Sequence, residues 1–123
     1  MGERVAIVGS RDWPDPERVR AYVRSLPPGT VVVSGGAKGV DTWAVDEACL
    51  CGLECHGCPA EWEAHGRAAG PIRNSVIVAN CDRVVAFWYG DSRGTADTVR
   101  KARRAGKPVE VVTMNANEVR RAR

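Results

Sequence analysis

Three runs in this chain are apolar without alternation: Val5-Ala6-Ile7-Val8, Val31-Val32-Val33 and Val84-Val85-Ala86-Phe87-Trp88. A strand with one wet face alternates, whereas an unbroken apolar strand must be covered on both sides, as in a parallel sheet between helices. The intervening segments fit helices. Asp15 can cap a first helix that begins at Pro16 and carries the stripe Val19, Tyr22, Val23 and Leu26, and Pro27-Pro28-Gly29 stops it. After the strand Thr30–Val33, a second helix spans Val40 to Leu50, with Val40, Ala44 and Ala48 on one face and Gly52 as its C-terminal cap. Leu53–Gly57 reads as a short third strand. Cys58–Pro71 has no clean periodicity and reads as a long loop, rich in functional side chains.

A further helix follows from Pro71, with Ile72, Val76 and Ala79 expected inward. After the fourth strand, Val84–Trp88, a helix from Ala96 to Ala105 turns Ala96, Val99 and Ala102 inward. Gly106-Lys107-Pro108 breaks it, and Val109–Val112 is the fifth strand. This alternation predicts an α/β fold, a doubly wound parallel sheet of about five strands. Residues 1–113 form a single domain in this reading, and 114–123 a basic tail, either a short helix or frayed.

A chain of 123 residues with 44% hydrophobic content can bury its own core. No apolar run approaches the roughly 18 residues of a membrane span, and the N-terminus lacks a signal-peptide core, so the expected location is cytoplasmic without membrane attachment. The net charge of +3 owes much to Arg120, Arg121 and Arg123 in the tail. The body is close to neutral, which gives bulk attraction to nucleic acid little support. Arg100, Lys101, Arg103, Arg104 and Lys107 read as a solvated helix face. Cys49, Cys51, Cys55 and Cys58 crowd together with His56, but their spacing is not that of paired zinc ligands. They read as small buried hydrophobes, with no metal site.

The functional signal lies at the strand ends. Thr30–Val33 leads into Ser34-Gly35-Gly36-Ala37-Lys38-Gly39-Val40-Asp41, glycines that open into a helix, which is how α/β proteins build anion pockets. It fits neither of the two common phosphate-loop patterns. The first strand ends at Gly9-Ser10-Arg11 and the fourth at Gly90-Asp91-Ser92-Arg93-Gly94-Thr95, while Arg73 and Asn74 open a helix. In a doubly wound sheet these places share the edge where ligands bind. Arg11, Lys38, Arg73 and Arg93 gathered there predict an anionic ligand, most simply a phosphate or diphosphate. Trp13, Trp62 and Tyr89 occupy the same loops, either stacking on a base or covering core edges.

Together, Gly9-Ser10-Arg11, Ser34 to Asp41, Pro59-Ala60-Glu61-Trp62 with His65-Gly66, Ala68 to Asn74, and Ser92-Arg93-Gly94-Thr95 resemble the YspA/YpsA-related branch of the SLOG superfamily. The resemblance implies a Rossmann-like, three-layer domain that binds a nucleotide-derived ligand of the NAD, ADP-ribose or nucleoside-phosphate kind, as a sensor without a required cofactor. Gly35, Gly36, Gly39 and Lys38 would then hold one phosphate, and Arg93, Gly94 and Thr95 a second phosphate or the ribose. Arg11 and Arg73 would neutralise charge, Asp41 would orient ribose or a lysine, and Trp62 and His65 would close over the ligand.

Two relatives imply other functions. Lonely Guy-like phosphoribohydrolases cleave N-glycosidic bonds with an Arg and a Glu. Arg73 fits the first, but Thr98 occupies the Glu position, which leaves Asp97, Glu61, His65 and Asp41 as substitute candidates. DprA-like proteins share the Ser-Gly-Gly-Ala-x-Gly-x-Asp stretch and the Arg-Asn helix start and bind single-stranded DNA, although Ser75 replaces their next arginine. The resemblance also implies a homodimer or larger assembly.

Overall fold

The structure, a computed structural model, describes residues 2–122. Its elements run β1 (Arg4–Gly9), α1 (Pro16–Arg24), β2 (Val31–Ser34), α2 (Val40–Leu50), β3 (Glu54–Gly57), α3 (Trp62–His65), a 3₁₀ turn (Gly66–Ala68), α4 (Ala69–Ala79), β4 (Arg83–Phe87), α5 (Arg93–Arg104), β5 (Val109–Val112) and α6 (Ala116–Ala122). All strand pairs are parallel, in the order β3-β2-β1-β4-β5. The chain winds outward from β1 to β3, crosses to β4 on the other side of β1, and winds outward again. The order therefore reverses between β1 and β4.

The unbroken apolar strands are sandwiched as their sequence requires. Val5, Ile7, Val32, Val85 and Phe87 face one side, where Val19 and Val23 of α1 and Val40, Ala44 and Ala48 of α2 cover them. Ala6, Val8, Val33, Val84 and Ala86 face the other, beneath Ile77 and Val78 of α4 and Val99 and Ala102 of α5. β3 and β5 are the edges and are correspondingly wetter.

Local signals set the helix ends. Asp15 accepts from the Arg18 N–H at 3.3 Å, with Pro16 at the first position of α1. At the end of α2, Gly52 takes φ +72° while Leu53 N–H returns to Ala48 O and Gly52 N–H to Cys49 O, a Schellman cap. Gly106, at φ +74°, closes α5 the same way. α6 is fastened by a reciprocal box in which Asn115 and Glu118 each accept the other's backbone N–H, at 2.9 and 3.1 Å.

Several expectations need correction. Cys58–Pro71 is not one loop: α3 and the 3₁₀ turn fill much of it, and α4 already begins at Ala69, so Pro71 falls in its first turn. Ile72, Val76 and Ala79 are exposed, and α4 instead buries Ala69, Asn74, Ile77 and Val78. This helix is apolar nearly all round, so periodicity could not select the face; the adjacent pair Ile77-Val78 and the packing of Asn74 against α5 did. α5 starts at Arg93, three residues before the expected Ala96, because Ser92 caps it. Cys49, Cys51 and Cys55 are exposed, and of the crowded four only Cys58 is buried. Trp13 belongs to the core, 2% exposed and edge-on to Phe87 at 5.3 Å, and Tyr89 packs partly against the same cluster.

Candidate functional site

A cleft of about 750 Å³ opens at the carboxyl edge of the sheet, over the switch point between β1 and β4. Its walls are Gly9 to Asp12 after β1, Gly70, Pro71, Arg73 and Asn74 of α4, and Asp91 to Thr98 with Arg100 along α5. Ala37 and Asp41 contribute from the β2–α2 connection, and Trp62 from α3.

The base of the cleft is tied across the switch point. Ser10 N–H donates to Phe87 O at 2.9 Å, and Ser10 Oγ accepts the Tyr89 N–H at 2.9 Å. Gly9 is demanded by proximity: a Cβ there would lie 2.6 Å from Phe87 O and 2.6 Å from Val40 Cγ2.

The Ser34–Asp41 connection is closed on itself. Asp41 Oδ2 accepts the N–H groups of Gly35 and Ala37, both at 3.2 Å, and the Gly36 N–H goes to Ser34 Oγ at 3.2 Å. Arg73 Nη1 donates to Gly35 O at 2.7 Å, and its approach leaves no room for a side chain at Gly35. Burial pushes the Asp41 carboxyl up to about 6, against the pull of the Ala37 N–H, the Arg73 charge and the Gly35 N–H. Its other oxygen, Oδ1, accepts from none of the described residues, yet Asp41 lines the cleft and leaves no buried unsatisfied atom. That oxygen is therefore open to the cleft.

The Ser92–Thr95 turn is open. Ser92 Oγ accepts from Thr95 N–H at 3.4 Å and donates to Thr95 Oγ1 at 2.7 Å. Among the described residues nothing accepts the N–H groups of Arg93 and Gly94, and the Arg93 and Arg11 side chains make no ion pair. Asp97, one turn on, is fully engaged by Asn74 Nδ2 at 3.0 Å, Arg100 at 2.6 Å and Lys101 at 2.9 Å. Burial works to raise its pKa, but the Asn74 hydrogen bond and the two cations outweigh it and hold the carboxyl below its ordinary range. Thr98, where a glycosidase Glu would stand, donates its hydroxyl back to Gly94 O at 3.0 Å.

The structure thus brings together Gly9, Ser10, Arg11, Ala37, Asp41, Trp62, Arg73, Asn74, Ser92, Arg93, Gly94, Thr95 and Asp97. Ser34, Gly35, Gly36, Lys38, Gly39, Glu61 and His65 do not line the cleft. Lys38 is exposed, and His65 pairs with Glu61 at 3.5 Å along α3. Sequence reasoning missed Asp12 and Asp91, next to Arg11 and Ser92, and it set Arg100 on an outer face. The spacing 93, 97, 100 was the available signal, since it repeats one helix face. Lys107 is no solvated residue either: it donates to Val78 O and to Cys81 O, the latter at 2.7 Å, at the end of α4. Among the described residues, no three His, Cys, Asp or Glu side chains converge as metal ligands, and no helix is long and apolar enough to cross a membrane.

The model of the YspA, cpYpsA-related SLOG family matches residues 3–65. The Gene 61 protein of Mycobacterium phage D29 is 40% identical over 118 residues, covering 86% of this chain and 93% of its own. The chain belongs to this SLOG family. Similar solved structures carry the same fold at lower identity. The DNA processing protein A of Streptococcus pneumoniae superposes with TM-score 0.79 at 22% identity, over 95% of this chain and 52% of its own. The chain therefore spans about half the length of that protein. The Helicobacter pylori DNA processing protein A, solved for its single-stranded DNA binding mode, gives 0.76 at 23%, over 94% of this chain and 67% of its own. The molybdenum cofactor binding protein of Rippkaea orientalis gives 0.70 at 19%, over 96% and 80%. The SLOG fold in these neighbours thus serves proteins named for DNA and for a small cofactor.

Proposed function

We propose that this SLOG protein binds a phosphate-bearing, nucleotide-derived ligand in the β1/β4 cleft. The observation that carries the reading is the open N-terminus of α5, where two backbone N–H groups without a partner among the described residues share the cleft with two arginines, Arg11 and Arg93, that make no ion pair among those residues. A phosphate there meets free donors, the positive end of a helix and uncommitted cations. Asp41 Oδ1 offers an acceptor to a ligand hydroxyl or amine, and the half-exposed Trp62 offers a ring face to a base. Arg73, already bonded to Gly35 O and to Asn74 Oδ1, contributes field more than contact. The test is a thermal-shift and calorimetric series with ADP-ribose, NAD, nucleoside monophosphates and inorganic phosphate on wild type and Arg93→Ala. Stabilisation by one of the nucleotides in wild type, lost in the variant, is the expected result. Equal response of both proteins rules this cleft out.

A second reading, hydrolysis of the ligand's N-glycosidic bond, rests on Asp41. Its carboxyl is buried, open at one oxygen to the cleft, and titrates near 6, which suits an acid in such chemistry. Asp97, saturated by one amide and two cations, does not suit it. Free base released from nucleoside monophosphates by wild type and not by Asp41→Asn is the outcome this reading requires.

A further inference from the structure

The end of α2 and the edge strand β3 carry three exposed thiols that lie away from the cleft. Two of them meet. The Schellman turn at Gly52 reverses the chain, and β3 then runs back beside α2. Cys55 Sγ comes to 3.9 Å from Val45 O. In a helix that carbonyl is the acceptor for the N–H four residues on, which is that of Cys49, so the Cys55 sulfur sits in the turn that carries Cys49. The Cys49 thiol is thus a near neighbour of Cys55, close enough to act on its titration. Cys51 points elsewhere, to Glu47 Oε2 at 3.8 Å.

We propose that Cys49 and Cys55 form a redox-active pair that closes reversibly to a disulfide between α2 and β3. A peroxide supplies the oxidising equivalents. The Cys49 thiolate attacks one peroxide oxygen, the O–O bond breaks, and a sulfenic acid and a water or alcohol result. Cys55, deprotonated, then attacks the sulfenic sulfur. The S–S bond forms, the S–O bond breaks, and the oxygen leaves as water. Cys55 fits the resolving role: partial burial first, and the neighbouring Cys49 second, push its thiol up, which disfavours it as the first thiolate to react. Reduction by a dithiol returns both cysteines. The link would staple the last turn of α2 to an otherwise exposed edge strand, far from Asp41 at the other end of the helix.

The experiment treats the full chain, dilute and reduced, with hydrogen peroxide, followed by intact-mass and peptide mapping without reductant. The expected product has lost two hydrogens, joins the Cys49 and Cys55 peptides within one chain, and melts several degrees higher than the reduced form. Cys49→Ser and Cys55→Ser each abolish the link, while Cys51→Ser and Cys81→Ser retain it. A link that survives Cys49→Ser, a product joined only between chains, or overoxidation of Cys49 with no link overturns the proposal.

Discussion

Two glycine-rich connections follow β2 and β4, the strands that flank β1 in this sheet, and look alike in sequence, yet they behave in opposite ways. The one after β2 uses its donors internally: Asp41 takes two N–H groups, Ser34 a third, and Arg73 clamps Gly35 O. The one after β4 leaves the first two N–H groups of α5 and the Arg93 side chain without partners among the described residues. The first is a scaffold that fixes Arg73 and presents one Asp41 oxygen. The second is where an anion finds free donors. A glycine-rich turn becomes an anion site only where no side chain of the protein has already occupied it.

The largest test of this contrast is the pH dependence of folding. Asp41 titrates at about 6 folded and 3.8 by default, so the folded state binds more protons between these values. Stability from this group therefore falls as pH rises from about 4 to about 6 and is level above, a cost of about 3 kcal/mol at pH 7. Urea melts should show that falling component in wild type and its absence in Asp41→Asn, which keeps an acceptor for Gly35 and Ala37. Parallel curves would mean that Asp41 is not closed in as described.

Gly35→Ala comes next. The new Cβ would lie 2.7 Å from Arg73 Nη1 and 2.8 Å from its Cδ, so the arginine side chain has to shift, and the expected outcome is that it gives up Gly35 O. Losing that charge-assisted bond costs about 2 kcal/mol, read as a lower melting temperature. Gly94→Ala is its counterpart on the open side. Nothing lies within 4 Å of a Cβ there, and the site is in the first helical turn, so stability should rise by about 0.5 to 1 kcal/mol. If both alanines shift the melting temperature alike, the contrast between the turns is lost.

Arg93→Ala should weaken phosphate-ligand affinity about tenfold or more, near 1.4 kcal/mol, with stability within about 0.5 kcal/mol of wild type. Lys38→Ala should change affinity least, by less than about threefold, because Lys38 is exposed and outside the cleft lining. A calorimetric titration in which Lys38→Ala matters more than Arg93→Ala would return the anion to the β2 side.

Much was legible from the sequence, for identifiable reasons. Unbroken valine runs state that both faces of a strand are covered, Asp15-Pro16 states where a helix starts, and Gly52 and Gly106 state where helices end, because each is a short-range constraint. These placed five strands, the doubly wound topology, and most of the residues that meet at the switch point. What the sequence could not reveal depended on contacts between distant segments. The inward face of α4 was chosen by packing on the sheet and by Asn74 reaching Asp97 across to α5. Trp13 went to the core because Phe87 was there to receive it, and Cys55 came to Cys49 because β3 folds back along α2. Above all, which of two glycine-rich turns keeps its donors free was decided by a carboxylate buried six residues downstream and an arginine from another helix. Backbone conformation is local and can be read along the chain; hydrogen-bond occupancy is settled only when the folded neighbours arrive.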